Sequence, residues 1–77
     1  MNERVRHILG VVLEMPEQQI SESLSAEDAS SWDSIHHLNL VMALEEAFGV
    51  SFSSDELSRL TSYRAIADAL ARRGITA

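Results

Sequence analysis

The stretch from Trp32 to Phe48, WDSIHHLNLVMALEEAF, leaves this chain few folds to choose from. Set on a helix at about 100° per residue, His37, Leu40, Val41, Leu44 and Phe48 fall on one side. Apart from His37 on the first turn, that side is apolar and forms a core-facing stripe. Ile35, Leu38 and Met42 occupy a second arc, beside the line through Ser34, Leu38 and Glu45. His36, Asn39, Ala43 and Glu46 complete the circumference. The second arc has two readings, the ragged edge of a wide core face or an apolar strip left open beside Ser34. Periodicity alone favours the first.

The rest of the chain is arranged around this helix. Val5, Ile8, Leu9, Val12 and Leu13 repeat at the spacing of an amphipathic helix, with Asn2 as a cap and Pro16 as a stop. This predicts a first helix over about residues 3–14, with His7 outside its apolar stripe and solvated. Residues 15–33 are rich in Ser, Glu, Asp and Gln and read as a loop. Ile20 and Leu24 are its sparse apolar anchors, and Trp32 packs over the start of the next helix. Gly49 ends the second helix, about 34–48. Val50 and Phe52 continue the core, and Ser53 with Glu56 forms a capping box for a short helix over about 54–60. Thr61 or Ser62 caps a last helix, about 62–73, with Tyr63, Ile66, Ala67 and Leu70 at helical spacing. Gly74 closes it, and Ile75-Thr76-Ala77 reads as a fraying tail. No strand pattern or internal repeat is present. The expectation is an all-α fold, one domain over 1–77. It is a small four-helix bundle of three longer helices and one short one, with a long loop between the first and second helices.

Composition narrows the function classes. With no cysteine, disulfides and thiolate zinc sites are excluded, so any thiol chemistry must come from a cofactor. Twelve Asp and Glu face six Arg and no Lys, for a formal net charge of −6. That disfavours nucleic acid and favours basic partner surfaces. No signal peptide or membrane-spanning run is seen, which makes a cytoplasmic, membrane-free location the default.

An enzyme is not indicated. Ser34 lacks the G-x-S-x-G elbow of a nucleophile. His36 and His37 project about 100° apart on a helix, so they neither form a base held by a third group nor converge on a metal. Both read as surface histidines. Glu22, Glu27 and Asp28 lack the spacing of a calcium loop and read as solvated charge. There are thus no catalytic and no metal-ligating candidates. Asp33 and Ser34 are both good helix caps, so the second helix begins at one of them. Ser34 then sits where backbone N–H groups are unsatisfied and the helix dipole is positive, a place that stabilises a phosphate ester. On physics alone, a serine there is most simply a cap or first-turn residue.

Asp33-Ser34-Ile35, followed by Leu38, Leu40, Val41, Met42, Leu44, Glu45, Glu46 and Phe48, resembles the acyl carrier protein family. The resemblance runs from Val5 to about Leu70. It implies a discrete, monomeric carrier with 4′-phosphopantetheine, from coenzyme A, attached covalently to Ser34 beside Asp33. Acyl or aminoacyl groups would ride on it as thioesters. Ile35, Leu38, Met42, Glu45 and Glu46 match positions that face partner enzymes. Those partners would be a phosphopantetheinyl transferase and loading, condensing or transfer enzymes with basic docking surfaces. The sequence departs from the common pattern in three ways. Ile35 replaces a leucine, Ser31 replaces a glycine before the Asp-Ser pair, and His36, His37 and Asn39 stand where fatty-acid carriers usually place acids. The last departure points to a specialised pathway, such as polyketide or nonribosomal peptide assembly. Primary fatty-acid synthesis and an unmodified helical interaction module are the alternatives.

Overall fold

A computed structural model describes residues 2–76, and Met1 and Ala77 lie outside the described residues. Four α-helices follow in order: α1 (Glu3–Leu13), α2 (Ser34–Phe48), α3 (Ser54–Arg59) and α4 (Tyr63–Ala71). A single 3₁₀ turn, Glu17–Gln19, lies in the long connection between α1 and α2, with Pro16 as the residue before it. The hydrophobic pattern gave no signal for that turn, because none of its three residues is buried.

Each helix starts on a side-chain cap. The Asn2 side chain accepts from the Arg4 and Val5 N–H groups. Ser53 and Glu56 form the reciprocal capping box at α3, and the Ser62 side chain accepts from Ala65 N–H at α4. Gly49, at φ 65°, takes the left-handed conformation that ends α2. Gly10 lies under a close approach. A Cβ there would stand 3.1 Å from the Met15 carbonyl oxygen, which folds back over the end of α1.

α1 and α2 pack antiparallel. The Arg4 guanidinium donates to the Ala47 carbonyl at one end of the pair, and His36 meets Glu14 at the other. Val5, Leu9 and Leu13 of α1, Leu40 and Leu44 of α2, Leu60, and Ile66 and Leu70 of α4 are essentially inaccessible and form the core. Ile8, Val12 and Phe48 are only half-buried at its margin. The Arg4 guanidinium covers the Phe48 ring at 4.8 Å. The long connection is stitched to the bundle: Ile20, Leu24, Ala29 and Trp32 are buried. Ala26 N–H donates to the Thr61 carbonyl at 2.8 Å, and Tyr63 N–H to the Leu24 carbonyl at 2.9 Å.

The C-terminal end differs from a fraying tail. α4 stops at Ala71, and Ile75 N–H returns to the Leu70 carbonyl at 3.0 Å. The Asn2 side chain donates to the Thr76 carbonyl at 2.8 Å, so the two ends of the described chain are tied together. Arg73 anchors this region. Its guanidinium donates to both Glu56 carboxylate oxygens, at 2.9 and 2.7 Å, and to the Ala69 and Ser51 carbonyls. It also lies over the Phe52 ring at 4.7 Å. These bonds hold Ile75 and Thr76, which the sequence placed in a fraying tail, against the bundle.

Glu56 is held down to about 2, first by Arg73 and then by the Ser53 backbone N–H. A carboxylate lowered in this way adds stability above its unfolded value of 4.5, and that stability fades as pH falls from 4.5 toward 2. Glu56→Gln retains a capping oxygen but loses the charge. Thermal melts should therefore show the variant a few degrees less stable at pH 7, with the gap closing as the pH approaches 2.5. A gap independent of pH would mean the charge is not what matters.

Candidate functional site

The site is built at the start of α2. Asp33 is the cap: its backbone is extended (φ −99°, ψ −174°), and its Oδ1 accepts from His36 N–H at 2.9 Å. Ser34 is therefore the first helical residue, exposed, with Asp33 rather than its own hydroxyl closing the helix end. This resolves which of the two acts as the cap. It leaves a free hydroxyl at the positive end of a four-turn helix.

The second arc of α2 is not the edge of a wide core. Ile35, Leu38 and Met42 are 71, 57 and 58% exposed and form an apolar strip running away from Ser34. Periodicity favoured burial for this arc, but the core is already closed by α1, α4 and the buried connection. Glu46 is exposed beside the strip. Glu45 is half-buried, and its Oε2 accepts from Phe52 N–H at 2.8 Å, so its carboxylate also holds the turn between α2 and α3.

The two histidines are not free surface residues. His37 Nδ1 accepts from the Trp32 indole N–H at 3.0 Å, and its Nε2 donates to the Leu57 carbonyl at 2.7 Å. The indole can only donate and the carbonyl can only accept, which places the ring proton on Nε2. The Trp32 and His37 rings stack with centroids 6.3 Å apart. This one side chain joins the end of the long connection, α2 and α3. His36 Nδ1 lies 2.7 Å from Asp33 Oδ1, and its Nε2 lies 3.2 Å from Glu14 Oε2. Adjacent histidines on a helix give no sequence signal of either role, because both partners of each ring come from other elements or from the cap. The charges respond accordingly. Asp33 is lowered below its usual range, first by the His36 backbone N–H and then by the His36 ring. His36 is raised above its usual 6.5, first by Asp33 and then by Glu14.

A groove of about 620 Å³ opens beside Ser34. Trp32, His37, Leu38 and Val41 line it together with Leu57, Thr61 and Ala26. Both nitrogens of His37 are already bonded, so the ring adds no unsatisfied polar atom to this wall. Among the described residues, no group of three or more His, Asp or Glu side chains is placed to hold a metal ion. Also among them, no helix is long and apolar enough to cross a membrane.

The start of α2 thus combines an exposed serine hydroxyl on the first turn of a capped helix with an apolar strip and an apolar groove beside it. The chain belongs to the phosphopantetheine attachment site family, whose model matches residues 3–70. It is a phosphopantetheine carrier of acyl-carrier type, and its prosthetic group is covalently bound 4′-phosphopantetheine. Domains of this family carry rather than catalyse, and they work with a phosphopantetheinyl transferase and with partner enzymes. The site fits such a group. The exposed Ser34 stands at a helix N-terminus, which favours a phosphodiester, and the groove gives an apolar surface beside it.

The cap assignment makes a sharp pair of expectations. Asp33→Ala should cost about 0.5–2 kcal/mol of stability through the lost cap. Ser34→Ala should stay within about 0.5 kcal/mol of the parent, as an exposed surface change does. Urea unfolding of the two variants separates them, and an equal loss in both would return Ser34 to a structural role.

Proposed function

We propose that Ser34 is the attachment residue and that the chain carries acyl or aminoacyl intermediates in a specialised assembly pathway, of polyketide, nonribosomal peptide or related type. The observation that carries the reading is the position of Ser34, first in α2 with Asp33 as the cap. In the modification, Ser34 Oγ bonds to the phosphorus that bears pantetheine in coenzyme A. The diphosphate P–O bond breaks, adenosine 3′,5′-bisphosphate leaves, and the hydroxyl proton passes to the transferase or to solvent. The bound group supplies a terminal thiol that holds cargo as a thioester on a flexible arm, which raises its effective concentration at each docked enzyme.

The chain's own residues orient and present. Asp33 keeps the helix end closed beside the phosphodiester. Ile35, Leu38 and Met42 offer the apolar contact for partner enzymes, with Glu46 and, through its exposed part, Glu45 as the flanking acids. A specialised pathway is supported by the charge pattern at the serine end. There His36 pairs with Asp33, and Asn39 is uncharged, so the surface next to Ser34 carries little free negative charge. An interface of this kind depends more on apolar burial than on acid–base pairing.

Intact-protein mass after incubation with coenzyme A and a broad-specificity transferase tests the attachment. One phosphopantetheinyl addition should appear, map to Ser34, and vanish in a folded Ser34→Ala variant. A folded parent chain that gains no mass sinks the reading. For the docking strip, Leu38→Ala and Met42→Ala should each weaken a cognate partner enzyme's use of the loaded carrier, by roughly tenfold. Cognate and fatty-acid elongating enzymes can be compared on the same loaded protein. Efficient elongation by the fatty-acid system alone would reject the specialised pathway.

A further inference from the structure

Nothing about the first turn of a capped helix requires a histidine at position 36, yet its ring is gripped from both sides. Nδ1 lies 2.7 Å from Asp33 Oδ1, and Nε2 lies 3.2 Å from Glu14 Oε2. Ionised carboxylates only accept hydrogen bonds, and a neutral imidazole has one N–H and one lone pair. A neutral ring can therefore satisfy one of these carboxylates and must turn a lone pair toward the other. Only the imidazolium satisfies both. The arrangement favours the charged form.

The far end of the bridge gives an independent sign that it is maintained. Glu14 follows the last residue of α1 at φ 56°, ψ 44°. Among the described residues it is the one non-glycine in the left-handed region, at a position where glycine is the usual occupant. A glycine would relieve the backbone and delete the carboxylate that reaches His36. The chain instead holds a strained residue whose side chain completes the bridge.

The near end of the bridge is the cap next to Ser34. The coenzyme's diphosphate is anionic and must approach the Ser34 hydroxyl closely. An unpaired Asp33 carboxylate would repel it, and a carboxylate free to rotate would also leave the helix end uncapped.

We propose that His36, bridged between Glu14 and Asp33, is a positioning residue for the modification of Ser34: as an imidazolium it holds the cap carboxylate in place and cancels its charge where the coenzyme's diphosphate approaches. This rests on Ser34 being the attachment residue. The charged groups that face the ring are Glu14, from the end of α1, and Asp33, from the residue before α2. His36 gains its proton affinity from them, so the bridge is complete below the ordinary value of 6.5 and is lost as pH rises through a higher one.

The test follows modification of the apo chain by coenzyme A and one transferase, from pH 6 to pH 9. Initial rates at low carrier concentration are taken for the parent, His36→Gln, His36→Arg and Glu14→Gln. Dividing each variant's rate by the parent's at the same pH removes the transferase's own titration. At pH 6, His36→Gln should run roughly fivefold slower than the parent, with the deficit closing toward pH 9 as the parent loses its proton. His36→Arg retains the charge and should stay within about twofold at pH 6, then overtake the parent at high pH. Glu14→Gln should show a smaller deficit. Circular dichroism confirms that each variant is folded. In parallel, ¹⁵N NMR of the ring nitrogens should give His36 a midpoint above 6.5 in the parent and a lower one in Glu14→Gln.

A rate ratio of one at every pH, with Ser34 still modified, overturns this proposal and leaves the attachment reading standing. A constant deficit at all pH values overturns it as well, since a purely structural loss does not follow the proton. So does an unshifted midpoint, whatever the rates. Absence of modification in the folded parent removes the attachment reading and this proposal together.

Discussion

Burial of one face of α2 underlies everything else in this molecule. Leu40 and Leu44 are fully buried, in one core with residues of α1, α4 and the long connection, and a chain of this length has no room for a second core. With that face committed, the opposite face of the same helix must look outward. Ile35, Leu38 and Met42 are exposed because of that geometry, and Ser34 emerges at the head of the same exposed strip. The exposed serine and the apolar surface are thus one consequence of where α2 packs.

The polar groups then set the angles. A bundle held by apolar contact alone can slide and rotate, since dispersion and hydrophobic burial carry little direction. Here directional bonds stand at the places where sliding would matter. His37 joins Trp32, α2 and α3 along the wall of the groove. Glu45 fixes the turn after α2 through Phe52. Arg73 and Glu56 lock the end of α4 against α3. Each of these residues is a polar side chain that gains its role from a partner outside its own element.

Much of the fold was legible in advance because helical periodicity and capping chemistry are local. The caps at Asn2, Ser53 and Ser62, the glycine at 49 and the buried positions of α1, α2 and α4 all depend on residues within a few places of one another. The site was partly legible for the same reason: Asp33 and Ser34 announce a helix start. The 3₁₀ turn, the anchored tail and the two histidines were not: the turn buries none of its residues, the tail is tied to a side chain 74 residues away, and His36 and His37 take partners 22 and 20 residues away, the second of them a backbone carbonyl with no identity in the sequence.

The sequence by itself determined that this is a small helical bundle with a serine at the head of its central helix, because spacing of apolar residues and capping preferences act over one or two turns. It also carried, through the Asp33-Ser34-Ile35 motif and the residues after it, the resemblance to a carrier. Only the tertiary structure decided that the second arc of α2 faces solvent. It alone showed that His36 is held between two carboxylates, one of them on another helix end. Those outcomes depend on which surfaces the packed helices leave open and which side chains they bring within hydrogen-bond distance, and no local rule of sequence contains that information.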